Sequence, residues 1–305
     1  MVAVASGYVP RRMSRSRYST LRGVRYHIRE WGPAGGTPLV FLHGGRDTSV
    51  SFQFIVDALE ADWRVIAPDW RGHGLTQATP GNYWTSDFLC DLDGLFADLA
   101  LGGGVPLLGH SMGGDIASLY AALRPEAVTH LVTLDALGIP LDRSPARMPR
   151  ILTDLLDSDR REFKRSVYAS VEEMAERLLH ANGRLDPARA RYLAAANAQP
   201  VEGRGLGWPR DPHFRRSWPT LHSVEEWGEC WRKIAAPVLC ILASEPEPRS
   251  PTRDPGEVAA RSSYFPSVAV IRAPNTGHNV HHEAPELVAR LLETFVRTGK
   301  ITEQH

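Results

Sequence analysis

One hexapeptide limits what this chain can fold into more than any other feature: Gly109-His110-Ser111-Met112-Gly113-Gly114. It follows a short apolar run, residues 105–108, and opens residues 112–123, whose apolar spacing is that of a helix. A G-x-S-x-G placed between a strand and a helix describes a sharp turn that forces its serine into a strained backbone conformation. Glycines two positions to either side of Ser111 remove side chains that would collide with neighbouring backbone. The hydroxyl is then presented at the carboxyl end of a sheet. The helix N-terminus aims free amide groups at any developing anion. The bare pattern is weak, and its strand-before, helix-after context gives it meaning.

The rest of the chain supplies that context. Apolar runs at 24–29, 38–42, 64–67, 105–108, 130–134, 237–242 and 268–271 mostly lack strict alternation, which suits strands covered on both faces. Helical periodicity at 49–59, 85–99, 112–123 and 284–297 separates many of them. This alternation predicts a doubly wound α/β domain. Residues 135–236 break the rhythm. They read as helical over 154–180 and 187–198, then as Gly- and Pro-rich, and a structureless loop of that length would be improbable. The expected organisation is a core of 21–138 and 235–305, with a helical cap of 139–234. Residues 1–20, with Arg11, Arg12, Arg15 and Arg17, read as a disordered basic leader. Cys90 and Cys240 read as small buried hydrophobes. Three cysteines at no ligand spacing give no case for disulfides, and residues 1–6 lack a basic start and a long apolar stretch, so the expected compartment is the cytoplasm, with a targeting role for the leader as the alternative. Thirty-five basic residues balance thirty-five acidic ones, giving no electrostatic case for nucleic acid or an anionic membrane as partner.

A serine hydroxyl needs a base. Among twelve histidines, His278 stands out. It lies in Pro274-Asn275-Thr276-Gly277-His278, after the last strand and at the same sheet end as Ser111. His110 flanks the serine and is expected to point away. A carboxylate should hold the imidazole, and two compete: Asp135, after the strand that follows the nucleophile strand, and Glu247, in Ala243-Ser244-Glu245-Pro246-Glu247. Both give the order serine, acid, histidine. His43-Gly44-Gly45-Arg46 follows residues 38–42, and the Gly45 amide, with that of Met112, is the expected oxyanion hole.

Together these residues resemble the α/β-hydrolase family over about residues 24–297, apart from the insertion. Asp69-Trp70-Arg71-Gly72-His73-Gly74 is similar to the family's D-x-R-G-x-G turn. The resemblance implies an eight-stranded, mostly parallel sheet, a helical cap at the insertion, and hydrolysis of ester, thioester, amide or C–C bonds. Residues 131–140 are similar to a branch holding serine-hydrolase-like and haloalkane-dehalogenase-like proteins. Some of its members carry the acid after this strand, and the later loop departs from the usual G-x-x-D, so the resemblance favours Asp135 over Glu247. Dehalogenases and epoxide hydrolases of the family use an aspartate nucleophile, and Ser111 argues against both activities.

The implied reaction proceeds through an acyl-enzyme on a small-molecule acyl substrate, without cofactor or metal. Arg46, Trp208, Trp218, Trp227 and Trp231 are candidate pocket residues, the tryptophans equally suited to packing the cap. His281-His282-Glu283 is read as a helix-entry surface run, because adjacent residues diverge on a helix. A carbon–carbon hydrolase or acyl-transfer enzyme, and a non-catalytic receptor on the same fold, are the alternatives.

Overall fold

The computed structural model describes residues 7–80, 83–101, 103–139, 144, 146–159, 165–215, 222–248 and 250–300. Eight strands form the main sheet: β1 (Arg15–Leu21), β2 (Val24–Trp31), β3 (Thr37–Leu42), β4 (Trp63–Pro68), β5 (Val105–His110), β6 (Val128–Leu134), β9 (Val238–Ala243) and β10 (Val268–Ala273). Their order is β1-β2-β4-β3-β5-β6-β9-β10. The β1–β2 and β2–β4 pairs are antiparallel and all others parallel. A small hairpin, β7 (Gln199–Val201) with β8 (Gly205–Gly207), lies in the insertion.

Period-two alternation explains how continuous apolar runs are used. In β3, Val40 and Leu42 face one side with Ile116, Tyr120 and Trp231, while Leu39 and Phe41 face the other with Phe52, Ile55 and Phe295. In β9, Val238, Cys240 and Leu242 go to the first layer, Leu239, Ile241 and Ala243 to the second. The first layer is built by α2 (Thr85–Asp98), α3 (Met112–Leu123) and α7 (Val224–Trp231), the second by α1 (Gln53–Ala58) and α10 (Pro285–Thr298). Helix α8 (Pro255–Ser262) lies between β9 and β10 in sequence, and the one-turn α9 (Val280–Glu283) precedes α10.

The insertion carries α4 (Arg147–Asp159), α5 (Val171–Ala181) and α6 (Pro187–Asn197). Its helix starts are chemically marked: the Ser170 hydroxyl accepts from Glu173 N, and the Asp186 carboxylate from Arg189 N. Met174, Ala175, Leu185, Ala190, Leu193 and Ala194 make a small apolar core that closes onto Val50 and Phe54 of the main unit.

Three expectations need correction. Residues 7–20 are not a disordered leader. Asp57 accepts the backbone amides of Arg11 (2.9 Å) and Arg12 (2.8 Å), and β1 pairs with β2 from Arg15 to Leu21. The leader looked unstructured because β1 is an edge strand whose polar and charged side chains face solvent. Cys90 is exposed on α2, whereas Cys240 is buried. Helix α7 packs on α3, with Trp231 Nε1 donating to Ser118 Oγ (2.9 Å), so the return to the main unit begins before residue 235.

Candidate active site

Strand ends bring the site together. Ser111, between β5 and α3, has φ 48° and ψ −123°, the strained turn its neighbours impose. A Cβ on Gly109 would sit 2.4 Å from Gly113 O, and one on Gly113 would sit 2.1 Å from Leu42 O. Only glycine lets α3 start this close to β3 and β5.

Ser111 N–H donates to Leu134 O (3.0 Å), so Ser111 lies beside the tip of β6, where Asp135 follows directly. Asp135 also has a positive φ, 42°. Its Oδ2 accepts from His278 Nδ1 (2.7 Å), while Oδ1 accepts from Ala243 N (3.1 Å) and from Thr252 Oγ1 (3.2 Å). Three donors from three elements therefore fix this carboxylate. Glu247 is exposed on its loop and acts on His278 only as a more distant charge. Burial alone would lower the His278 pKa; the Asp135 hydrogen bond and charge, helped by Glu247 and Asp115, outweigh it and raise the pKa above 6.5. No hydrogen bond joins Ser111 to His278 in this structure. Such bonds often tighten only once substrate is bound.

The loop after β3 lies against this elbow. A Cβ on Gly44 would meet His110 Nδ1 at 2.8 Å and Ser111 Cβ at 3.2 Å; one on Gly45 would meet Phe214 at 3.3 Å and Met112 Sδ at 3.7 Å. Gly44 thus lies against Ser111 and Gly45 against Met112, and among the described residues the Gly45 and Met112 amides are not taken by another hydrogen bond. Arg46 has φ 67°, held by its N–H donating to His73 Nε2 (3.1 Å). Burial pushes the His73 pKa down to about 3, so its ring stays neutral and can accept. His43 is buried, and its Nε2 accepts from Trp70 N (2.9 Å), tying the Asp69–Gly74 turn to the same loop. Sequence reasoning singled out neither His43, His73 nor Thr252 as supports. For the two histidines the available signal was their place within the His43–Arg46 loop and the Asp69–Gly74 turn.

His110 departs from expectation. It points beneath the His278 loop, with Nε2 donating to His278 O (2.9 Å) and the two rings 4.8 Å apart. Asp115, one turn into α3, is buried and accepts from Gly138 N (2.9 Å); burial raises its pKa to about 7.

The candidate pocket residues separate. Arg46 and Trp208 line a cavity of about 230 Å³ under the cap, with Arg177, Arg210, Tyr168 and Asn197. Trp227 and Trp231 do not line it; they are buried against α3 and Phe265. Trp218 lies outside the described residues. His281 and His282 are not a surface run, since both are buried with rings 3.9 Å apart. Among the described residues no helix is long and apolar enough to cross a membrane.

Comparison with known proteins agrees with this architecture. Residues 37–285 match the model of the alpha/beta hydrolase fold. A serine hydrolase-like protein of Danio rerio is 29% identical, over 88% of this chain and 83% of its own length. A protein of Bacillus subtilis (strain 168), provisionally named a 2-succinyl-6-hydroxy-2,4-cyclohexadiene-1-carboxylate synthase, is 31% identical, over 90% of this chain and 95% of its own. Among solved structures, the thioesterase domain from the curacin biosynthetic pathway superposes with a TM-score of 0.83 at 22% identity, covering 92% of this chain and 99% of that one. The chain belongs to the α/β-hydrolase fold family and is a hydrolase of its serine hydrolase-like branch.

Proposed function

We propose that this hydrolase cleaves a small ester, thioester or related acyl compound through Ser111, His278 and Asp135. The observation that carries the reading is the 2.7 Å His278–Asp135 pair standing beside a serine at φ 48° on a strand-to-helix turn. His278 Nε2 takes the proton as Ser111 Oγ attacks the carbonyl carbon. Asp135 holds the ring and stabilises its charged form. The oxyanion is met by the Gly45 and Met112 amides. The tetrahedral intermediate collapses, the leaving group departs with the proton from His278, and water resolves the acyl-enzyme by the same steps.

The cavity of about 230 Å³ adjoins the site through Arg46, which follows Gly45, while Ser111 and His278 do not line it. Arg46, Arg177 and Arg210 contribute to its lining. Guanidinium groups recognise carboxylates by paired hydrogen bonds, so the acyl compound we favour carries one. The name of the Bacillus relative, a carboxylate synthase, supports this and keeps a second reading open: carbon–carbon cleavage or acyl transfer on the same residues.

Labelling with a fluorophosphonate, read by intact-protein mass, tests the assignment. Wild type gains one adduct and Ser111→Ala none; equal labelling of both refutes it. An acyl panel then separates the readings. Ester-probe turnover without a hydrolysed native product points to the transfer enzyme, and tight ligand binding without labelling points to a receptor.

A further inference from the structure

We propose that Asp47, His110 and His281 form a buried binding site for a divalent transition-metal ion, directly behind the serine turn. One potential ligand atom from each lies within 4.8 Å of the others. Around Zn²⁺, with bonds of about 2.0–2.2 Å, tetrahedral donors stand roughly 3.4 Å apart. Side-chain adjustment of up to roughly 1.4 Å closes that gap.

The hydrogen bonds show why these atoms suit a cation. His110 Nε2 lies 2.9 Å from His278 O, a carbonyl that can only accept, so Nε2 carries the hydrogen. The other ring nitrogen, Nδ1, is buried and has no hydrogen-bond partner, so it is the one left for a ligand. Ser51 Oγ donates to Asp47 Oδ2 (2.7 Å) and has no second hydrogen, so its 3.1 Å contact with His281 Nε2 has the imidazole as donor. The other ring nitrogen of His281, Nδ1, is also buried and unpartnered, and Nε2 lies 3.5 Å from Asp47 Oδ2. Asp47 is oriented by Ser51 and by Thr48 N, which donates to Oδ1 (2.8 Å). Two imidazole nitrogens and one carboxylate oxygen, each with an outer hydrogen bond, make a donor set for Zn²⁺, Co²⁺ or Ni²⁺ rather than Mg²⁺ or Ca²⁺. An entry route exists, because Asp47 and His282 line the cavity under the cap. With a water the set reaches four ligands.

Ion binding at this site does not rest on the proposed function.

The test uses the full chain and Co²⁺ or Zn²⁺ alone. Equilibrium dialysis of wild type should retain one ion per chain, the Co²⁺ form showing the visible bands of four-coordinate nitrogen and oxygen ligation. Asp47→Asn and His281→Gln should each weaken binding more than about 100-fold, beyond the 10–100-fold typical of outer-shell changes, and Ser51→Ala about 10-fold. His278→Gln should bind as wild type does. X-ray absorption of the wild-type Zn²⁺ complex needs no variant and should give at least two imidazoles. The proposal is overturned by wild type retaining no ion, by fewer than two imidazoles, or by folded Asp47→Asn and His281→Gln both binding normally. Loss of binding in His278→Gln also overturns it, by placing the ion on the other histidine. Ion binding by a chain that fluorophosphonate does not label would sustain the site while rejecting the catalytic reading.

Discussion

Two serine–histidine–aspartate lines among the described residues bear comparison. At the sheet edge, Ser16 Oγ lies 2.9 Å from His27 Nε2, and His27 Nδ1 lies 2.7 Å from Asp69 Oδ2. At the sheet centre, His278 Nδ1 lies at the same 2.7 Å from Asp135 Oδ2, and Ser111 is not bonded to the ring. Judged by hydrogen bonds alone, the edge line is the more complete. Its surroundings differ in every respect that matters for chemistry. Ser16 sits in a regular strand opposite Arg29, with no helix start beside it. The His27 side chain is fully buried with both nitrogens engaged, whereas that of His278 is 30% exposed. Asp69 also accepts Ser49 N (2.7 Å) and Leu75 N (3.0 Å), so it clasps loops together. A serine–histidine–acid bond pattern is thus compatible with pure architecture. What sets the central line apart is backbone strain at Ser111, the start of α3 beside it and a partly exposed histidine.

The comparison breaks most easily at the serines. Ser111→Ala should lower kcat/KM by about 10,000-fold or more, as loss of a nucleophile does, leaving what binding and the oxyanion amides supply. Ser16→Ala should change it less than about twofold, because an exposed edge hydroxyl is replaced. Steady-state kinetics on the best ester of the panel decides, and a large loss in Ser16→Ala would mean the edge line is chemical after all. The acids come next. Asp135→Asn should lower kcat by about 10,000-fold by leaving the imidazole in the wrong tautomer. Glu247→Gln, altering an exposed carboxylate that His278 feels only through space, should keep activity within a few-fold. The reverse ranking moves the acid to the later loop.

Much of the central line was legible in the sequence, because its signals are local. Gly109 and Gly113 announce a turn only glycine permits, and the runs around them show strands apolar on both faces. The edge line was illegible for the opposite reason. Ser16 belongs to a polar strand with no apolar face to advertise it, and Asp69 reads as a motif residue until its donors are seen. Trp227 and Trp231 misled in another way: large aromatics in an insertion fill a pocket or pack a core with the same composition, and only the return of α7 onto α3 decides. His281 and His282 were misjudged because helical divergence assumes several turns, and α9 is one turn pressed against the short 3-10 helix Ser49–Phe52.

The edge line also predicts a stability effect without a catalytic one. Burial opposes the Asp69 charge, but His27 and the backbone donors prevail and hold its pKa far below the ordinary carboxylate range. A depressed acid contributes stability above its unfolded pKa of about 3.9, and that contribution fades as pH falls toward the folded value. Asp69→Asn should therefore cost about 1–3 kcal/mol at pH 7 and less at pH 3, measured by urea unfolding, while the folded fraction keeps its activity. An undiminished cost at pH 3 would assign the loss to packing rather than charge.

The smallest effect sharpens the comparison at the histidines. The His278 pKa is raised, so the neutral, proton-accepting ring becomes the majority form only above 6.5, and kcat/KM should climb with pH through a midpoint above that value. Its contribution to stability has the opposite sense: present below 6.5, lost as pH rises through the folded midpoint. Asp135→Asn leaves burial as the main influence and should carry the titration of the ring below 6.5, followed by NMR of its carbon-bound protons. Glu247→Gln should move the kinetic midpoint down by less than about half a unit, since a charge acting through solvent is heavily screened. A larger shift from Glu247 than from Asp135 would mean that the 2.7 Å pair holds the imidazole without governing its proton, and the central line would then differ from the edge line only in exposure.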